Sequence, residues 1–265
     1  MDRAVILGTY EFIGFHLCLS LLEKGIEVIG IHLPSLSNDE YLEEMRLSVG
    51  RNSNFTEKDE TFFEQKQTFS DNTFFFIDYY SYYKNYRESE MKAILTQSLN
   101  HINVHYIFIC PIQLCNEKSS QEFPIQLLKF QNHLQIYYLP TIYGPWQPLH
   151  FTFQQALHNP DKSVTIDERE WTNDALFVSD AIDYIIGHLE EKKKQQILLK
   201  SMIDNHWQKV ASLLLKNITI EITNNDVKNC QDVMVVDIDS TSISEGIGRQ
   251  KKHLASWKQI KKDKQ

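Results

Sequence analysis

At 265 residues with 42% hydrophobic content, the chain can form one large domain or a domain with a smaller appended lobe, around a substantial core. A formal charge of -8 at pH 7 excludes a generic nucleic-acid binder, which needs a basic face. No run reaches the roughly eighteen apolar residues of a membrane span, and the four cysteines (Cys18, Cys110, Cys115, Cys230) contain no CxxC pair. They read as buried free thiols in a reducing, cytoplasmic compartment, without a disulfide framework or zinc site.

Arg3 to Leu7 (RAVIL) is a short apolar, β-branched run closed by Gly8, the pattern of a strand buried on both faces. Apolar residues then recur at helical spacing from Phe12 to Lys24, with Gly25 as the stop, and Ile26 to Leu33 (IEVIGIHL) reads as a second strand. Strand, glycine turn, helix and strand within about thirty residues form a βαβ unit, whose right-handed crossover makes the strands parallel. Ser37 or Asn38 can cap a helix running through Val49, and the polar run Gly50 to Asp71 reads as an irregular insertion.

Thr73 to Ile77 is a predicted strand, Met91 to His101 a helix, His105 to Cys110 a strand, Glu122 to Gln131 a short helix and Gln135 to Leu139 a strand. The loop "PTIYGPWQP" comes next, then a helix over Phe153 to His158 and a strand over Val164 to Ile166. A helix over Ser179 to Glu191, a strand over Gln196 to Lys200 and a helix over Trp207 to Lys216 complete the alternation. It predicts a doubly wound α/β parallel sheet over residues 1-145 and a smaller mixed lobe over 146-265, with 196-200 returning to the main sheet. From Arg249 to Lys264 seven Lys or Arg residues face one acid, interleaved with Leu254, Trp257 and Ile260 at helical spacing. This reads as a solvated terminal helix with one docked apolar stripe, with a tether to an anionic surface as the alternative.

Several stretches, in order along nearly the whole chain, resemble the extended short-chain dehydrogenase/reductase family, the NAD-dependent epimerase/dehydratase group acting on nucleotide sugars. "GTYEFIGFHLCLSLLEKGIEVIGI" resembles its opening GxxGxxG unit, "YIFICPIQLC" its strand ending in a serine-rich turn, and "LPTIYGPWQP" its YGP loop. "VTIDEREWTNDALFVSDAIDYIIGHLE" is similar to its substrate-lobe strand and TRDF-type turn, and "SISEGIGRQKKHLASW" to its closing helix. The resemblance implies an NAD(P)-binding Rossmann fold. It also implies a cofactor turn at Gly8, Glu11, Phe12, Ile13 and Gly14, an adenine-ribose position at His32, and substrate contacts at Tyr143 and Asn173.

At four positions the chain departs from what that chemistry needs. In a dinucleotide turn the second glycine lets the backbone approach the pyrophosphate, and here Glu11 stands in its place. A like charge near 4 Å at an effective dielectric of 20 costs about 4 kcal/mol. The carboxylate is therefore expected to act as an internal cap on the helix N-H groups that phosphate would have used. His32 replaces the acid that accepts ribose hydroxyls, and Cys110, Pro111 and Ile112 occupy the serine-turn positions. No tyrosine lies between Asn116 and His133, where the family's Tyr-x-x-x-Lys helix belongs; Tyr80 to Lys84 (YSYYK) has that spacing but precedes the required strand. Asn173 replaces the arginine of the TRDF-type turn and lacks its charged fork; Asp174 and Asp180 are expected as helix caps.

Four departures across three tasks point to a protein that has lost catalysis, holds no cofactor and acts as a cytoplasmic binding or regulatory partner, by contact with another protein or with itself. The alternative is an active NAD- or NADP-dependent epimerase, dehydratase or reductase that draws a tyrosine such as Tyr137, Tyr138 or Tyr143 from another strand. No metal site, membrane contact or nucleic-acid contact is expected, and a small nucleotide ligand stays open.

Overall fold

The computed structural model describes residues 1-33, 40-63, 69-70, 72-98, 104-115, 133-189, 195-215 and 233-264. Four aliphatic residues after Arg3 make up the buried run of β1 (Arg3–Leu7). It pairs in parallel with β2 (Glu27–Ile31) on one side and β4 (Thr73–Asp78) on the other. β3 (Phe55–Lys58) lies beyond β2, and β5 (His105–Pro111), β6 (Leu134–Leu139), β9 (Gln195–Ser201) and β10 (Met234–Ile238) extend the far side. The eight-stranded order is β10-β9-β6-β5-β4-β1-β2-β3, with every pairing parallel. This is the doubly wound Rossmann-type sheet, and its order reverses between β1 and β4, where such folds open their ligand crevice.

Helix α1 (Phe12–Glu23) crosses from β1 to β2 and buries eight of its twelve residues, as a helix wedged between sheet and neighbouring helix must. Gly14 is required there: a Cβ would sit 2.0 Å from the Gly8 carbonyl oxygen, so only glycine lets helix and strand approach this closely. Then come α2 (Leu42–Val49), α3 (Tyr79–Lys84) and α4 (Glu88–Ser98). Apart from the main sheet, β7 (Thr141–Tyr143) and β8 (Ala175–Phe177) pair as a two-stranded parallel sheet accompanied by α5 (Thr152–His158) and α7 (His206–Leu214), whereas α6 (Val178–Gly187) packs against α1 in the core of the main sheet. The chain closes on α8 (Ile243–Asp263), whose first turn is capped by Ser242.

Several expectations need correction. The polar run 50-71 is not wholly irregular: β3 pairs with β2, and a 3-10 turn lies at Glu60–Phe63. Val164 to Ile166 forms no strand; both apolar side chains pack instead against the lobe's core beside Tyr143 and Phe153. The loop after β6 contains β7, and the aromatic patch after β4 is helix α3, nucleated by Asp78 accepting from the Ser81 amide at 2.9 Å. Cys18 and Cys110 are free and buried, but Cys115 is disulfide-bonded, so the expectation of free thiols fails there. The predicted helix Glu122 to Gln131 lies outside the described residues, as do Cys230 and the proposed caps Ser37 and Asn38.

Candidate functional site

The turn between β1 and α1 is where a Rossmann fold presents free N-H groups to an anion. Here side chains from the β4 end take them. Asp78 Oδ2 accepts from the Gly14 amide at 2.8 Å, and Ser81 Oγ accepts from the Ile13 amide at 3.3 Å. Asp78 is fully buried, and desolvation pushes its carboxyl up to about 6 against the opposing hydrogen bonds from Ser81, Gly14 and Ile13. The helix N-terminus is thus capped by a carboxylate, but the carboxylate is not the expected one.

Glu11 turns the other way. It holds the N-cap backbone position of α1 with no side-chain capping bond. Its Oε1 accepts from Arg87 Nη1 at 2.7 Å and its Oε2 from Asn85 Nδ2 at 3.1 Å. The pair is mostly buried, with 13% of the Arg87 side chain and 9% of the Glu11 side chain exposed. Arg87 also donates to Glu90 and to the Leu33 carbonyl, and its guanidinium lies 4.9 Å from the centre of the Tyr82 ring. Burial opposes its charge, yet Glu90 and Glu11 outweigh that, and the guanidinium is held above its ordinary range.

The Tyr82 ring completes the filling. A Cβ on Gly8, which has φ +90, would stand 3.1 Å from Tyr82 Cε2 and 3.4 Å from the Asp78 and Glu11 side chains. Tyr82 is itself 0% exposed. Phe12 and Ile13 point into the core.

At the end of β2, His32 is half-buried and meets the Tyr10 ring edge-on at 5.3 Å. Tyr10 donates to Glu57 at 2.8 Å, and Glu57 also pairs with Arg46 at 2.6 Å. Burial and the nearby Arg46 hold His32 below its usual pKa.

The second lobe's predicted contacts separate. Tyr143 is 0% exposed, with its hydroxyl 3.1 Å from His206 Nε2; His206 Nδ1 lies 2.8 Å from Ser201 Oγ. Burial, aided by Lys209, lowers His206 to about 4, so a neutral imidazole joins two hydroxyls. Asn173 is half-buried in the strand-entry turn. Asp174 does not cap a helix: it accepts from the Ala175 and Ser201 amides at 2.8 Å each. Asp180 reaches across to the entry of α8, accepting from the Thr241 amide and hydroxyl.

Of the other tyrosines, Tyr138 donates to Gln196 at 2.9 Å and Tyr137 is buried with its ring edge-on to Tyr184. Cys110 and Ile112 are buried. Desolvation, then the Asp78 charge, raises the Cys110 thiol well above its ordinary value. The Tyr80 hydroxyl accepts from the Ile142 amide at 2.9 Å, while Lys84 binds Glu170 at 2.7 Å, so these two side chains serve separate structural bonds. Among the described residues, no group of three His, Cys, Asp or Glu could hold a metal ion, and no helix is long and apolar enough to cross a membrane.

Sequence reasoning missed Asp78, Tyr82, Asn85 and Arg87. Arg87 lies 76 residues from Glu11, and no local pattern joins them.

No family model matches the sequence, and no curated protein matches it either. Solved structures do match in fold. UDP-glucuronic acid 4-epimerase from Bacillus cereus, in complex with NAD, superposes with a TM-score of 0.66 at 18% identity, covering 96% of this chain and 99% of that one. UDP-glucose 4-epimerase from Thermotoga maritima, with UDP-glucose, gives 0.66 at 13% identity over 96% and 99% of the two chains. dTDP-glucose 4,6-dehydratase from Bacillus anthracis, in complex with NAD, gives 0.63 at 11% identity over 98% and 97%. The chain therefore has the fold of NAD-dependent nucleotide-sugar epimerases and dehydratases along nearly its whole length.

Proposed function

We propose that this chain is a degenerate epimerase/dehydratase-like protein that holds no dinucleotide, has lost catalysis, and acts as a binding or regulatory partner through its surface. One observation carries the reading: the anion-binding turn is satisfied from within. Asp78 and Ser81 occupy the α1 amides, Glu11 is bonded to Arg87, and Tyr82 covers Gly8. A pyrophosphate would have to displace the buried Asp78 carboxylate from the Gly14 amide. The residues at this turn do not fit the group.

The absence of hydroxyls at Cys110, Pro111 and Ile112 agrees with this reading, as does the inward bonding of Tyr138 and Tyr143. Fold alone does not fix activity. The competing reading, an active NAD(P)-dependent enzyme with an atypical site, draws on the NAD-complexed neighbours. Calorimetric titration of the purified chain with NADH and with NADPH separates the two: no heat of binding is expected up to about 1 mM, a dissociation constant worth only about 4 kcal/mol. Saturable one-to-one binding of either would overturn the proposal.

For the surface role, a protein partner or a second copy of the chain is favoured over nucleic acid, given the net charge of -8. A cytoplasmic setting rests on the free thiols of Cys18 and Cys110; the Cys115 disulfide is the observation against it.

A further inference from the structure

Ligands of doubly wound folds lie in the crevice outside the carboxyl ends of the strands. Residues 167-171 (DEREW) cross that region and bond to side chains just past the ends of three adjacent strands. After β4, Lys84 Nζ donates to Glu170 Oε2 at 2.7 Å and to the Arg169 carbonyl at 3.1 Å. After β5, Gln113 Nε2 donates to the same carbonyl at 2.9 Å. After β6, Thr141 Oγ1 donates to the Trp171 carbonyl at 2.8 Å and lies 3.2 Å from Glu170 Oε1.

The opposite side is closed by the second lobe, where Trp207 Nε1 donates to Glu170 Oε1 at 3.1 Å. The Lys84–Glu170 pair is deeply buried, at 5% and 3% side-chain exposure. Arg169 lies nearer the surface. Its guanidinium is 3.7 Å from the centre of the Tyr86 ring and 4.5 Å from that of Tyr83, and it bonds Glu88 and the Tyr83 carbonyl. Tyr86 is 49% exposed, so this end of the contact borders solvent.

We propose that residues 167-171 form a strap that occupies the substrate half of the crevice, so that a nucleoside diphosphate can enter only when the strap lifts. The proposal rests on the epimerase/dehydratase-like reading of the crevice but not on the state of the dinucleotide turn. Arg169 is the catch. With 21% of its side chain exposed it lies nearer solvent than the Lys84–Glu170 pair sealed beneath, and its planar cation is held by the two tyrosine rings, the Glu88 carboxylate and the Tyr83 carbonyl.

The test uses the full chain with UDP as the probe. Wild type is expected to give no calorimetric binding of UDP at about 1 mM. Arg169→Ala is expected to raise amide hydrogen exchange across 167-171 by about tenfold and to gain saturable UDP binding. Tyr86→Ala, a milder surface change, is expected to move both readouts in the same direction and serves if Arg169→Ala fails to fold. UDP binding by wild type without altered exchange at 167-171 overturns the proposal. So does faster exchange in a variant that still ignores UDP, or exchange unchanged in both variants. NADH is titrated into the same samples: binding of NADH alone would sink the proposed loss of cofactor and leave the strap standing.

Discussion

At Glu11, two readings compete, a bar to phosphate and a cap for the helix, and the side chain does neither in the expected way. The cap is Asp78, and Glu11 answers a cation that arrives from 76 residues away. This changes what a substitution should do. Glu11→Gly removes a charged hydrogen bond from a mostly buried guanidinium that still keeps Glu90, an expected loss of about 2 kcal/mol in urea denaturation. It leaves the Asp78 carboxylate on the Gly14 amide and the Tyr82 ring over Gly8, so NADH titration of the folded variant should remain silent. Restored NADH binding in that single variant would show that the charge of Glu11 alone had barred the dinucleotide. The glutamate was legible in the sequence as an exception to the glycine pattern; Arg87 was not, because an ion pair between distant segments leaves no local spacing to read.

Among the elements, α8 shows how a basic terminal segment can be a structural part. Leu254 and Trp257 are buried as the apolar stripe implies, while Ile260 remains 43% exposed. Trp257 packs against Tyr41 with ring centres 5.1 Å apart. A feature without apolar periodicity fastens the helix further: Gln250, 0% exposed, donates to Gln147 Oε1 at 2.7 Å and Gln154 Oε1 at 2.6 Å. Gln154 in turn donates to the Tyr41 hydroxyl and Gln147 to the Ile142 carbonyl. Gln250→Ala would leave two buried amide oxygens without this donor and is expected to cost roughly 2–6 kcal/mol in chemical denaturation, at about 1–3 kcal/mol per orphaned group. Gln250→Leu, similar in volume, should lose about as much. A loss below about 0.5 kcal/mol for both would mean that water replaces the amide at no cost. Helix α3 and strands β7 and β10 escaped sequence reading for a related reason. They are short, and α3 is held by Asp78 and tertiary bonds to its tyrosines and lysine rather than by an apolar period.

The whole molecule carries buried titratable groups of both kinds, and their balance sets its response to acid. Burial lowers His16, His206 and His253 to about 4, with the Pro145 carbonyl opposing at His16 and Lys209 reinforcing at His206. Between about 4 and 6.5 these three bind protons in the unfolded chain but not in the folded one, so each contributes stability that is lost as pH falls. Asp78 and Asp174 have the opposite sign: burial raises both to about 6, so the folded chain binds their protons first and gains stability on acidification through the same window. Among these five described groups the three histidines outweigh the two carboxyls, and the urea midpoint is expected to fall between pH 6.5 and 4.5. His253→Gln should flatten that slope, and a midpoint that rises on acidification would contradict the assignment. The sequence by itself determined the parallel α/β architecture, because strand and helix periods and the glycine turn are set by neighbouring residues in the chain. It also placed Glu11, His32, Cys110 and Asn173 where the family resemblance implies a glycine, an acid, a hydroxyl and an arginine. Only the tertiary structure decided what stands in their place: Asp78 on the helix amides, Arg87 against Glu11, and residues 167-171 across three strand ends. These contacts join segments tens of residues apart, and their strength comes from burial and charge pairing, which exist only once the sheet has brought those segments together.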